Sequence, residues 1–150
     1  MFSWADFEAA APDLAVLGRE RLERLGFALV GTIRRDGTPR ISPVEVRFVQ
    51  RQLAVNMLRD SLKARDLDRD SRILLHSPML SADDPNDEFK LRGRALETED
   101  PDLCAAVADL TWHPPPESRV FVLDVESAAF VEWSKGEMTV TCWSRERGLY

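Results

Sequence analysis

The chain predicts a mainly β fold with inserted helices, built on an antiparallel sheet closed as a small barrel. Three observations point there. Six or seven short stretches read as strands, with two or three helices inserted among them. Every connection between strands up to Phe89 is a hairpin or one short helix, which favours antiparallel pairing and barrel closure over a doubly wound parallel sheet. No glycine-rich loop of the dinucleotide-binding or nucleotide-phosphate kind is present.

The elements follow in order. Ser3 with Asp6 three residues later has the form of a capping box and starts a helix. Asp13 to Leu25 carries Leu14, Leu17, Leu22 and Leu25 on one helical face, and Gly26 stands where a C-terminal glycine ends such a helix. The period changes at Phe27. Phe27 to Ile33 reads as a strand, Asp36-Gly37 as a hairpin turn, and Pro39 to Val49 as the return strand. Pro43 inside that strand implies an edge, a bulge or a break, because proline gives the ladder no donor. Gln50 to Gln52 turns into a third strand, Leu53 to Leu58. Ser61 opens a short helix to about Arg69, with Leu62 and Leu67 as its apolar contacts. Ile73 to Leu75 is a fourth strand, and residues 79–87 are a polar loop.

Phe89 to Leu96 alternates apolar and charged residues until Gly93, which suggests a bulge. Asp100-Pro101 starts a helix to about Leu110. Pro114 to Pro116 excludes helix and central strand. Val120 to Val125 and Ala128 to Trp133 read as strands, Lys135-Gly136 as a turn, and Met138 to Trp143 as the last strand.

At 150 residues the chain has the length of one domain, 1–150, with residues 1–26 as an N-terminal helical segment packed on the barrel. Hydrophobic residues at 44% and charged residues at 31% are in the globular range. A net charge of −6 argues against general nucleic-acid binding, which needs a basic footprint. Cys104 and Cys142 stand far apart and suit free thiols in a reducing cytoplasm rather than a disulfide framework or a metal site. The acidic N-terminus lacks the basic and apolar regions of a secretory signal. No apolar run reaches the ~20 residues of a membrane span. The expected setting is therefore cytoplasmic, with no membrane or nucleic-acid partner.

Charge is unevenly distributed. Only three of the 20 cationic residues are lysines, and Lys63 is one of them. Between Arg34 and Arg72 the balance is +4, so the remainder carries −10. Such a segment suits a local anion site. Ser61 falls at a helix N-terminus, where free N–H groups and the helix dipole favour phosphate, and Lys63 and Arg65 are close enough to add charged hydrogen bonds. The alternative is an ordinary serine cap on a solvated helix.

Several residues in order carry a family resemblance. After the first strand come Asp36-Gly37-Thr38-Pro39, then a strand with Ser42-Pro43-Val44 and a third strand. Ser61-Leu62-Lys63-Ala64-Arg65-Asp66-Leu67 follows, then Asp70-Ser71-Arg72, and later Leu91-Arg92-Gly93-Arg94-Ala95. This run resembles the FMN-binding split-barrel family, the pyridoxamine 5'-phosphate oxidase-like proteins. The resemblance covers about half the chain well. It implies a six-stranded antiparallel split β-barrel, paired as a homodimer with two cofactor sites at the subunit interface. It assigns Ser61 and Lys63 to the phosphate, with Arg59 or Arg65 assisting. Ser42, Pro43 and Val44 lie on the strand whose backbone runs beside the flavin ring, and Asn56 and Met57 flank the cofactor. Leu62 stands where the oxidase has an arginine, and Met57 replaces a hydroxyl residue. The oxidase's C-terminal substrate-binding segment has no counterpart after Trp143.

Similar short proteins bind FMN, the deazaflavin hydride carrier, or haem and its breakdown products. FMN is the first expectation and the deazaflavin the alternative. Haem would want an axial ligand, and His76 and His113 read instead as strand-end or loop residues. The resemblance implies an oxidoreductase passing hydride to or from a small organic substrate. The alternatives are a non-enzymatic carrier or sensor, and an interaction module that has lost its cofactor. No catalytic side chain and no metal ligand is assigned, since the cofactor of a flavin enzyme carries the redox chemistry. Trp112, Trp133 and Trp143 suit core or dimer contacts more than a cofactor face. Glu45 and Arg47 either face a ligand or pair across a dimer.

Overall fold

The computed structural model describes residues 1–79, 87–110, 117–134 and 136–150. In chain order the elements are α1 (Trp4–Ala10), α2 (Pro12–Glu23), β1 (Phe27–Ile33), β2 (Pro39–Val49), β3 (Gln52–Leu58), α3 (Leu62–Arg69), β4 (Arg72–His76), β5 (Glu88–Thr98), α4 (Pro101–Leu110), β6 (Ser118–Ser134), β7 (Glu137–Ser144) and β8 (Gly148–Leu149). All strand pairs are antiparallel. The order runs β3-β2-β1-β4-β5-β6, and β6 pairs back on β3, which closes a barrel of six strands. β7 and β8 continue the sheet outward from β6.

Local chemistry accounts for most boundaries. Ser3 and Asp6 form the full capping box of α1. Gly26 has φ +70°, which releases the chain from α2 into β1. Asp36 turns the β1–β2 hairpin by accepting from the Thr38 backbone and hydroxyl at 3.0 and 2.6 Å. β2 runs unbroken through Pro43. Residues 39–45 of β2 pair with β1, and pairing with β3 begins only at Val46. The Val46 N–H donates to the Gly26 carbonyl on the β1 side. Strand alternation then turns the Pro43 nitrogen to the opposite, open edge, where a missing donor breaks no ladder bond.

Four expectations are corrected. Leu17 lies on the exposed side of α2, whose buried face is Leu14, Ala15, Gly18 and Leu22. That face packs so closely on β5 that a Cβ on Gly18 would sit 2.5 Å from the Phe89 ring. Leu62 is 58% exposed, and α3 buries Ala64, Asp66 and Leu67 instead. The two expected late strands are one 17-residue strand, β6. The apparent gap at Glu126 is the bulge opposite Arg92 and Gly93, which shifts the register without ending the strand. The chain also does not end its strands at Trp143: a short β8 follows and pairs with β7. Expectations resting on residues 80–86, on Trp112, His113 and Pro114 to Pro116, and on Lys135 lie outside the described residues.

The main core fills the barrel and joins it to the N-terminal helices through Trp4, Phe7, Leu22, Phe89, Phe121 and Trp143. A smaller cluster packs α4 against β2, with β3 and β6 contributing, through Val49, Ala54, Leu103, Val107, Val120 and Val122. Trp143 is a core residue, stacked with Phe2 at 5.4 Å, while Trp133 is half exposed. No helix among the described residues is long and apolar enough to cross a membrane.

Candidate functional site

β2 and β3 part company where the barrel splits. They pair through Val46–Val55 to Val49–Gln52 and no further. Beyond that point, residues 39–45 pair with β1 and residues 56–58 pair with β6 among the described residues. Two strand edges therefore diverge, and the chain leaves β3 directly into the N-terminus of α3. Ser42, Pro43 and Val44 lie on one side of this split, and Asn56 and Met57 on the other. The Val44 and Met57 side chains point into the core, so only their backbone belongs to the split. Asn56 differs: its buried Oδ1 has no hydrogen-bond partner among the described residues. A buried acceptor left unpaired costs about 1–3 kcal/mol, so this oxygen is suited to a donor from a bound molecule.

Ser61 is the N-cap of α3, and its Oγ accepts from the Ala64 N–H at 3.3 Å. The hydroxyl hydrogen is left to donate elsewhere. Lys63 is half buried and makes no ion pair among the described residues. Arg59 is exposed, with its backbone N–H on the Glu117 carbonyl.

A strongly basic feature lies beside α3. A cavity of about 390 Å³ opens between the β1–β2 hairpin and α3, lined by Arg34, Arg35, Asp36, Arg40, Leu62, Arg65, Asp66 and Arg69. The four α3 residues share one helical face by their spacing. Five guanidiniums meet two carboxylates there. Both carboxylates are engaged. Asp36 is held below the ordinary aspartate value chiefly by the Thr38 hydroxyl. Burial works to raise the Asp66 carboxyl, but hydrogen bonds from Arg40, Arg69 and Thr32 outweigh it and hold the group below its ordinary value. Among the described residues, the Arg65 guanidinium makes only a long contact of 3.5 Å, with the exposed Asp60. The cavity thus keeps cationic capacity, as an anion site requires.

The structure brings Leu62 and Arg65 into this cavity, but Ser61, Lys63 and Arg59 do not line it. Sequence reasoning missed Arg34, Arg35, Arg40 and Arg69. Arg40 was open to detection, because it precedes Ser42 by two positions and so shares its strand face. Glu45 and Arg47 pair with each other at 3.3 Å, and Arg47 also holds the Gly26, Val46 and Leu110 carbonyls, so both are framework residues. The His76 ring is taken up on both sides, by the Ser77 carbonyl and by Glu88, each at 2.7 Å. It is not free to ligate a haem iron.

Solved structures share this fold. A heme binding protein from Mycobacterium smegmatis superposes with a TM-score of 0.63 at 21% identity, over 83% of this chain and 56% of that one. A pyridoxamine 5'-phosphate oxidase-related, FMN binding protein from Nostoc punctiforme gives 0.63 at 12% identity, over 96% and 94%. An F420 reductase gives 0.58 at 18% identity, over 73% and 94%. At such identities the likeness is one of fold, and the three names carry three different cofactors. No curated protein matches the chain. The family description pyridoxamine 5'-phosphate oxidase matches residues 18–132, from within α2 to near the end of β6, and so takes in the barrel, the split and the basic cavity together. By that match over most of its length, this chain belongs to the pyridoxamine 5'-phosphate oxidase family.

Proposed function

We propose that the protein is an oxidoreductase that binds a phosphorylated flavin, or the corresponding deazaflavin, in the split between β2 and β3. One observation carries the reading: between α3 and the β1–β2 hairpin, in a cavity that Arg40 of β2 also lines, five guanidiniums face two engaged carboxylates. Arg40 and Arg65 would hold the phosphate from the cavity, with Ser61 and Lys63 closing on it from the start of α3. The unpaired Asn56 Oδ1 would accept from an imide N–H or a ribityl hydroxyl. The open edge of β2 at Ser42 to Val44 would lie along the ring. When bound, such a group supplies hydride transfer, and the chain supplies position and charge. FMN is the first choice and the deazaflavin the second. A cytoplasmic setting suits the two free cysteines.

Titration of the purified apoprotein with FMN and with the deazaflavin, followed by cofactor fluorescence, tests the reading. Binding of either below ~100 μM is the expected result, and Lys63→Ala should weaken it by about 1.5–3 kcal/mol, the scale of a charged hydrogen bond. Failure of both to bind would overturn it. Leu62, an exposed apolar residue on the cavity wall, favours a second reading as a non-enzymatic carrier or sensor. That reading expects tight binding with no turnover of any electron donor.

We also propose a homodimer. Leu29, Ile41 and Leu74 are exposed on the outer faces of adjacent strands, with Gly31 paired between Ile41 and Leu74. An apolar face of this kind is suited to a second copy of the chain. Light scattering on the wild type should give the dimer mass, and Ile41→Glu should give the monomer. A monomeric wild type would overturn the proposal.

A further inference from the structure

Among the described residues, Asp66 is the one charged side chain that is buried, at 3% exposure. A buried carboxylate is retained only where partners compensate its desolvation. Asp66 has three, from three elements. Its Oδ2 accepts from Thr32 Oγ1 of β1 at 2.9 Å and from Arg40 Nε of β2 at 2.6 Å. Its Oδ1 accepts from Arg69 Nη2, one turn along α3, at 2.8 Å. Both Nη groups of Arg69 are engaged, since they also hold the Arg65 and Ile33 carbonyls.

Arg40 is not. Asp66 takes its Nε–H alone, and the two Nη groups have no hydrogen-bond partner among the described residues. The side chain is only 19% exposed and borders the basic cavity. A guanidinium is a planar fork, so anchoring Nε fixes the direction of the remaining donors. The two free Nη groups form the edge that binds an oxyanion in bidentate fashion. A staple that served stability alone would more usually set two nitrogens of the fork on the carboxylate, as Arg72 does on Asp70 of this same chain with its Nε and Nη2.

We infer that Asp66 is a positioning residue for the anion site: it holds Arg40 by Nε and so presents the Nη pair to an incoming phosphate. The inference rests on the proposed cofactor reading. Asp66 itself touches no ligand. Its effect on binding passes through Arg40, and it should therefore act only on ligands that carry the phosphate.

The test compares FMN with riboflavin, which lacks the phosphate, on wild type and on Asp66→Asn. Asparagine keeps the shape and can still accept from Thr32, but has no charge to hold Arg40. Wild type should prefer FMN. Asp66→Asn should lose about ten- to a hundredfold in FMN affinity, the range of one charged hydrogen bond, with riboflavin affinity unchanged. A merely structural role would weaken both ligands together or lower only the melting temperature. Asp66→Asn with the wild-type preference for FMN intact overturns the inference and leaves the cofactor reading standing. A wild type that binds neither ligand, or binds both equally, overturns the reading and the inference with it. If wild type takes the deazaflavin instead, the same pair of titrations uses its phosphorylated and phosphate-free forms. If Asp66→Asn does not fold, Arg40→Lys replaces it, because lysine keeps the charge but loses the fork. Loss of the phosphate preference supports the inference, and full retention overturns it.

Discussion

Gly93→Ala is expected to abolish folding or leave the protein barely stable. A Cβ at this position would lie 2.1 Å from the Asp124 carbonyl oxygen and 3.0 Å from its carbon. Both are backbone atoms, so no side chain can rotate away. β6 cannot retreat either, because it pairs with β5, β7 and β3. Moving it would break the closure of the barrel. Overpacking a core with flexible neighbours costs about 1–3 kcal/mol, and a rigid backbone neighbour puts this substitution at or above that upper limit. Against a total stability of ~5–15 kcal/mol for a domain, the loss is a large fraction. Urea or thermal unfolding of the purified variant measures it, and recovery only in the insoluble fraction would be the extreme case. A wild-type midpoint would show that the bulge accommodates a side chain and that this close approach is not obligatory.

Trp4→Ala carries the second largest expected effect, a loss of about 3–5 kcal/mol. Trp4 is 1% exposed, although it belongs to a helix of only seven residues near the chain start. Its ring makes edge-on contacts with Phe7, Phe48 and Phe89 at centroid distances of 5.1, 4.7 and 6.4 Å. Its Nε1–H donates to Glu8 at 2.7 Å, so the polar atom is satisfied. Deletion would leave a cavity between α1, β2 and β5, where β2 and β5 are each held by their own strand neighbours and cannot collapse to fill it. An isolated seven-residue helix is too short to persist in water, so α1 exists because this face is buried. Loss of Trp4 should therefore release α1 as well as lower the unfolding midpoint. Faster amide hydrogen exchange at Phe7 and Ala11, whose N–H groups bond to the Ser3 and Phe7 carbonyls, would report it. Unchanged exchange with a lowered midpoint would mean that α1 is held by its capping box and by the Phe2 contacts alone.

The resemblance in the middle of the chain was legible because its signals are local. Asp36-Gly37, Ser42-Pro43-Val44 and the Ser61 helix start are each set by neighbours a few residues away. The same locality limits what such signals say about a site. Ser61 and Lys63 were readable as a helix start with a nearby cation. The five arginines of the cavity lie on the hairpin, on β2 and on α3, and nothing in their spacing announces that the helix folds back beside the hairpin. Leu17 and Leu62 show the complementary error. Both satisfy a helical apolar pattern, yet each faces water, because periodicity identifies a face without saying what covers it.

The sequence by itself determined the helices, most of the strands and the early turns, the bulge at Gly93 and the excess of positive charge between Arg34 and Arg72. These follow from backbone preferences, side-chain period and composition, which act over a few residues. The tertiary structure alone decided three things: that β6 returns to β3 to close the barrel, that β2 and β3 separate beyond Val46, and that buried Asp66 joins Thr32, Arg40 and Arg69. Each depends on which distant surfaces exclude water together, and burial of that kind is settled only when the whole chain has packed.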